Sequence, residues 1–172
     1  LKKVKIFKNE RILSLEELLK IAPDNILLDI ELKGETITGE SCIPLLKLLL
    51  KYIKKENILI SSFNYELLNY FKKNKICIGL LTGGKLKRLG FFGMIKKVIS
   101  LKPDYLCMPI NMIRYMNIIL YYLLIIFLKS IGNKFIYWTV DKENEIRYIK
   151  NHAEYIITNE LKMMLKLFKE NK

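Results

Sequence analysis

The sequence predicts an α/β fold built on a parallel sheet, with short strands separated by helices. Three observations predict it. At 172 residues, 51% apolar and 11% aromatic, the chain has enough apolar side chain for one continuous core. Short apolar runs recur along it, and each is followed by a segment whose apolar residues repeat at helical spacing. No linker, low-complexity tract or repeat divides it, so residues 1–172 are expected to form one domain. Strands joined through helices pair in parallel with right-handed crossovers, which leaves an open doubly wound sheet or a closed barrel.

Ser14-Leu15-Glu16-Glu17 has the spacing of a capping box, so a helix starts there and stops before Pro23. Asn25 to Lys33 opens as an apolar run and then alternates, the pattern of a strand emerging from a buried sheet, and Gly34 ends it. Ile43, Leu46, Leu50 and Ile53 keep a helical period from Glu40 to Lys55, where Pro44 is tolerable in the first turn. The alternation continues as strand Ile58 to Ser62, helix Tyr65 to Lys72, strand Ile76 to Leu81 and, past a loop through Gly83-Gly84, helix Phe92 to Ser100. A weaker strand, Tyr105 to Met108, precedes one long helix, Met112 to Ile131. Strand Phe135 to Val140, helix Lys142 to Asn151, strand Tyr155 to Thr158 and helix Glu160 to Lys169 complete the series. Leu161, Met164, Leu165 and Phe168 give the last helix a single apolar face.

The 30 Lys plus Arg outnumber the 17 Asp plus Glu, for a net charge of +13, a field that attracts phosphates, anionic lipid or nucleic acid. Lys2, Lys51, Lys97, Lys129 and Lys166 are scattered rather than gathered in a stripe, and no aromatic-basic stripe accompanies them, so nucleic acid is not expected as a partner. Cys42, Cys77 and Cys107 form no metal or redox motif and read as buried reduced thiols, which suits a cytoplasmic setting. No apolar signal core follows Leu1-Lys2-Lys3-Val4-Lys5. The most apolar stretch, Ile118 to Leu128, is short of the roughly 20 residues of a membrane span and reads as a buried helix. The chain begins with Leu, and no strand precedes its first helix, as expected of a fragment.

Strand alternation puts Asp29, Glu31 and Lys33 on one face and Ile30 and Leu32 on the other. The apolar face packs on helices, so the polar one points into a barrel lumen or sheet crevice. Carboxylates are costly there without a counter-charge. Two readings fit: an ion pair at the strand's end, or a metal-binding carboxylate beside a phosphate-binding lysine. The basic loop Thr82-Gly83-Gly84-Lys85-Leu86-Lys87-Arg88 is not a nucleotide-phosphate loop, because its glycines are adjacent and Leu86 stands where Ser or Thr would hold Mg²⁺. It is a solvated loop or an electrostatic guide for a phosphodiester or an anionic membrane surface.

Leu28-Asp29-Ile30-Glu31-Leu32-Lys33, preceded by Ile12-Leu13-Ser14-Leu15-Glu16-Glu17-Leu18, resembles the I-E-x-K strand of the glycerophosphodiester phosphodiesterases and the segment before it. Ser61-Ser62-Phe63-Asn64, Gly79-Leu80-Leu81, Tyr137-Trp138-Thr139-Val140-Asp141 and Tyr155-Ile156-Ile157-Thr158-Asn159 follow in the family's order. The resemblance implies an incomplete TIM-type barrel, from about the third strand to the eighth. It implies a divalent cation, Ca²⁺ or Mg²⁺, with Glu31 as a metal ligand. Lys33 becomes a phosphate contact and Trp138 a wall beside the glycerol or head-group alcohol.

The family's H-R-G histidine, its E-x-D metal pair and its second histidine belong to earlier strands and are absent, so no catalytic residue is assigned and the cation is expected to be weakly held. The sole histidine, His152, just before the last strand, falls on the rim associated with stability. Ser62 and Thr158 read as helix caps. A barrel lacking two strands would leave two open edges, which invite self-association.

Overall fold

A computed structural model describes residues 12–33, 37–83 and 90–170. Gly34 and the Gly84–Arg88 part of the basic loop lie outside the described residues, as does Leu1–Lys5. Helix α1 (Leu15–Ile21) opens on the expected capping box, in which Glu17 accepts from the Ser14 amide at 2.8 Å. Then follow β1 (Leu28–Glu31), α2 (Gly39–Tyr52), a 3-10 turn (Lys55–Asn57), β2 (Ile58–Ser62), α3 (Tyr65–Lys73), β3 (Cys77–Leu81) and α4 (Gly90–Leu101). The chain continues through β4 (Tyr105–Pro109), α5 (Met112–Tyr115), α6 (Ile118–Ser130), β5 (Lys134–Trp138), α7 (Glu143–Ile149), β6 (Ala153–Ile156) and α8 (Leu161–Glu170).

The six strands form one parallel sheet in the order β1-β2-β3-β4-β5-β6. A doubly wound sheet reverses direction at a switch point so that helices cover both faces. Here the order never reverses, so right-handed crossovers carry every helix to one side and the sheet curls around the other. Register gives the same answer. Glu31, the last residue of β1, is carried through Ser61, Gly79 and Tyr105 to Lys134, the first residue of β5. The strands thus climb about one residue per step, the stagger of an eight-stranded barrel with shear 8. The fold is an incomplete TIM-type barrel.

Two apolar layers follow from alternation. Ile58, Ile60, Ile78, Leu80, Leu106, Met108, Phe135 and Tyr137 point outward into the main core beneath the helices. Leu59, Leu81, Cys107 and Ile136 point inward and form a second cluster with Phe63, Tyr105 and Trp138. Gly79 lies at the centre of the inner face, where a Cβ would come within 2.8 Å of Cys107 Sγ. Gly79→Ala is therefore expected to destabilise the chain by about 1–3 kcal/mol, with part recovered in Gly79→Ala/Cys107→Ala; urea midpoints measure both.

Several sequence expectations are corrected. The long helix over 112–131 breaks in two, because the Asn117 side chain accepts from the Ile119 amide at 2.9 Å and caps a new helix. The last strand lies two residues earlier than expected, and Thr158 sits in the following loop. Of the apolar face expected on α8, only Met164 is buried, because α8 stands at the end of the helical layer beside α7. Helix α6 is buried on one side only: Tyr121, Leu124, Ile125 and Leu128 pack inward, while its other apolar residues meet solvent. No described helix is long and apolar enough to cross a membrane.

Candidate functional site

In this fold, chemistry is expected at the carboxyl ends of the strands. Glu31 ends β1 there, exposed, while Leu32 is buried in the main core and donates its amide to Ser61 O at 2.8 Å. Leu28 and Ile30 pack against the same core, so Asp29 and Glu31 face the concave side. Lys33 lies two residues past the end of β1, after the hydrogen-bonded Leu32, and is exposed. Trp138 ends β5, four residues beyond Lys134, and the stagger of one residue per strand brings it level with Glu31. Glu31, Leu81 and Trp138 therefore share one layer, contributed by alternate strands as in a complete barrel.

Cys107 on β4 connects the two ends of that layer. The carboxylates of Asp29 and Glu31 both help to hold its thiol protonated, although burial is the main cause of its raised pKa. Its carbonyl accepts from Trp138 Nε1 at 3.0 Å and from the Thr82 amide at 2.9 Å. Phe63, just past β2, sets its ring against Trp138 at 6.2 Å in an edge-on contact. Sequence reasoning used Phe63 only as a landmark. Its signal was its place two residues past the inward-facing Ser61.

Electrostatically, the site is an acidic spot in a basic protein. The Asp29 carboxyl is held above the usual range, first by loss of hydration against the inner wall and further by the neighbouring Glu31, while Ser61 opposes the shift. Two carboxylates on one face provide oxygen donors of the kind a hard cation takes. Among the described residues, no group of three or more His, Cys, Asp or Glu is arranged to hold a metal ion.

Deeper in the concave face, Tyr105 packs on Tyr155 at 5.7 Å, with Lys134 Nζ 5.9 Å from the Tyr105 ring. The Cys77 thiol is pushed up to about 12, chiefly by burial, and Cys42 and Cys107 are free and buried, so these sulfurs are unreactive packing groups. Ser62 is no helix cap: its hydroxyl donates to Leu32 O at 2.6 Å and accepts from the Asn64 amide, and the Asn64 side chain caps α3. Thr158 accepts from the Glu160 amide and donates to Asp141, which also receives the Asn159 amide and side chain. The loops after β5 and β6 are thereby tied together.

No family model matches the chain, and no curated protein matches it. Solved structures do. A glycerophosphodiester phosphodiesterase from Parabacteroides distasonis superposes with a TM-score of 0.79 at 19% identity, over 99% of this chain and 70% of its own. The enzyme of the same description from Thermotoga maritima gives 0.72 at 22% identity, and the present chain, matched over 90%, spans only 63% of its length. An Oleispira antarctica phosphodiesterase, solved with the product sn-glycerol-3-phosphate, gives 0.65 at 16% identity over 82% of this chain and 54% of its own. A Bacillus subtilis protein with an EAL domain, solved with c-di-GMP and calcium, also reaches 0.65, at 16% identity over 82% of this chain and 40% of its own. Strand order, stagger and superposition agree: the chain has the fold of the glycerophosphodiester phosphodiesterases, as six consecutive strands of their TIM-type barrel.

Proposed function

We propose that the concave face binds a glycerophosphodiester, and that the chain is a phosphodiesterase-type hydrolase barrel whose reaction yields glycerol 3-phosphate and an alcohol but which is catalytically incomplete by itself. The single observation that carries this reading is the shared layer of Glu31 and Trp138 at the carboxyl ends of the strands. Glu31 is the carboxylate for a divalent cation, Ca²⁺ or Mg²⁺, with Asp29 beneath it. Lys33 meets the phosphate as a point charge, and Trp138, braced by Phe63, forms an apolar wall for the glycerol or head-group alcohol. Bound there, the cation would polarise the phosphoryl group. Two carboxylates fall short of the six or more oxygens that Ca²⁺ takes, so Glu31 and Asp29 would hold such a cation only weakly without further oxygen donors.

The proposal includes a reducing, cytoplasmic setting, supported by three thiols without a disulfide, and a small phosphate-containing partner rather than nucleic acid. It also includes self-association through the outer edges of β1 and β6, which have no partner strand among the described residues. The Oleispira product complex supports the choice of ligand. Titration calorimetry with glycerol 3-phosphate in calcium buffer tests the site. Glu31→Gln and Trp138→Ala are each expected to weaken binding about tenfold, and affinities equal to the parent's would refute the assignment.

A second reading, binding of phosphodiesters or an anionic membrane surface without cleavage, is favoured by the position of the sole histidine. His152 immediately precedes β6, at the amino-terminal end of the barrel, and lies in the outward layer.

A further inference from the structure

Helix α6 has an apolar face that the fold does not use. Its inward face, Tyr121, Leu124, Ile125 and Leu128, is buried. On the opposite side Ile119 is 68% exposed, Leu123 57% and Ile126 64%, flanked by Leu120 and Phe127. These residues repeat at helical spacing and form a continuous stripe. Isolated exposed leucines need no explanation, but an unbroken apolar face of three turns does. Helix α6 contains no acidic residue, and its one charged side chain, Lys129, lies in the last turn. It is 13 residues long, about 20 Å, too short to cross a hydrocarbon core and long enough to lie along its surface.

We propose that this face docks in the interfacial layer of an anionic lipid bilayer, with α6 parallel to the membrane plane. The charge of the chain selects that occupant. At +13 the protein is drawn towards acidic lipid and held there while the stripe enters the acyl boundary, an attraction that a second copy, carrying the same charge, does not offer to this face. Tyr122, 38% exposed, has the amphipathic ring that suits the head-group level, and Lys129 donates to Asn151 O at 3.3 Å at the carboxyl end of the helix. The proposal is independent of the catalytic reading, because α6 lies on the outer helical layer and contributes nothing to the concave face.

Co-sedimentation of the full chain with phosphatidylcholine vesicles, with and without phosphatidylglycerol, tests it. The parent should bind the anionic vesicles at least tenfold more tightly than the neutral ones. The triple variant Ile119→Ser/Leu123→Ser/Ile126→Ser should lose at least tenfold on anionic vesicles. Circular dichroism verifies its fold, and the substituted side chains are exposed. The parent should keep part of its binding in high salt, where the lysine contribution is screened, and the variant should keep none. Three results would overturn the idea: no binding of the parent to anionic vesicles, equal binding of parent and variant, or binding abolished by salt. Light scattering that finds an oligomeric parent and a monomeric variant, without lipid binding, would assign the face to a second copy and overturn it equally.

Discussion

Glycerophosphocholine or glycerophosphoethanolamine, supplied with Ca²⁺ or Mg²⁺, is expected to be turned over by this chain about 10²- to 10⁴-fold more slowly than by an intact enzyme of the same fold. That range is the usual contribution of one positioned general acid or base. The leaving alcohol needs a proton and the attacking water must lose one. The only imidazole in the chain, His152, lies at the amino-terminal end of the barrel, away from Glu31 and Trp138. It is also enclosed, with Nε2 committed to the Tyr121 hydroxyl at 2.9 Å. None of the thiols can substitute, because each is held protonated by burial. Release of choline or ethanolamine, followed by a coupled assay, measures the rate. Turnover equal to that of the intact enzyme would refute catalytic incompleteness.

Acidification between pH 6.5 and 4 is expected to remove about 3 kcal/mol of stability through His152 alone. Tyr121, Tyr137 and His152 form a buried chain, with 2.7 Å between the two hydroxyls and 2.9 Å from Tyr121 to the imidazole. Loss of hydration, with the nearby Lys129 ammonium, lowers the imidazole pKa from 6.5 to about 4. A depressed value means that the unfolded chain takes up the proton first. The stabilisation is therefore complete above pH 6.5 and declines as pH falls through the folded value. Urea midpoints for the parent and His152→Gln, measured at intervals over that window, should converge as the parent loses its advantage. Parallel curves would exclude the imidazole as the cause. Tyr121→Phe removes the hydroxyl that joins the other two groups and should cost about 1–3 kcal/mol for each group left without a partner.

Elements with strong local signals were legible in the sequence, with modest shifts at their ends. The Ser14 to Glu17 capping box starts α1 as read, and the alternation of Asp29, Ile30, Glu31 and Leu32 sorts those side chains onto the two faces observed. Where local signals competed, the reading failed. The periodic run over 112–131 hid the cap at Asn117, because a single side-chain hydrogen bond ends one helix and begins another without disturbing apolar spacing. The strand expected at Tyr155 to Thr158 lies earlier because pairing with β5 chooses which residues extend, and there the register slips beside Phe135 and Ile136.

The sequence by itself determined the class of fold, the number of strands and their alternation with helices along the chain, and the face on which Asp29 and Glu31 stand, since all three follow from local periodicity and alternation. Periodicity left open whether the sheet curls, and only the family resemblance implied a barrel; the tertiary structure decided it, because strand order and stagger are relations between segments remote in the chain. The same relations bring Trp138 level with Glu31 and place Phe63 against its ring. The outward face of α6 was also a tertiary decision. A helix apolar on every side has no internal indication of which residues will meet the sheet, and packing of Tyr121 against Tyr137 of β5 and against His152 left Ile119, Leu123 and Ile126 in solvent.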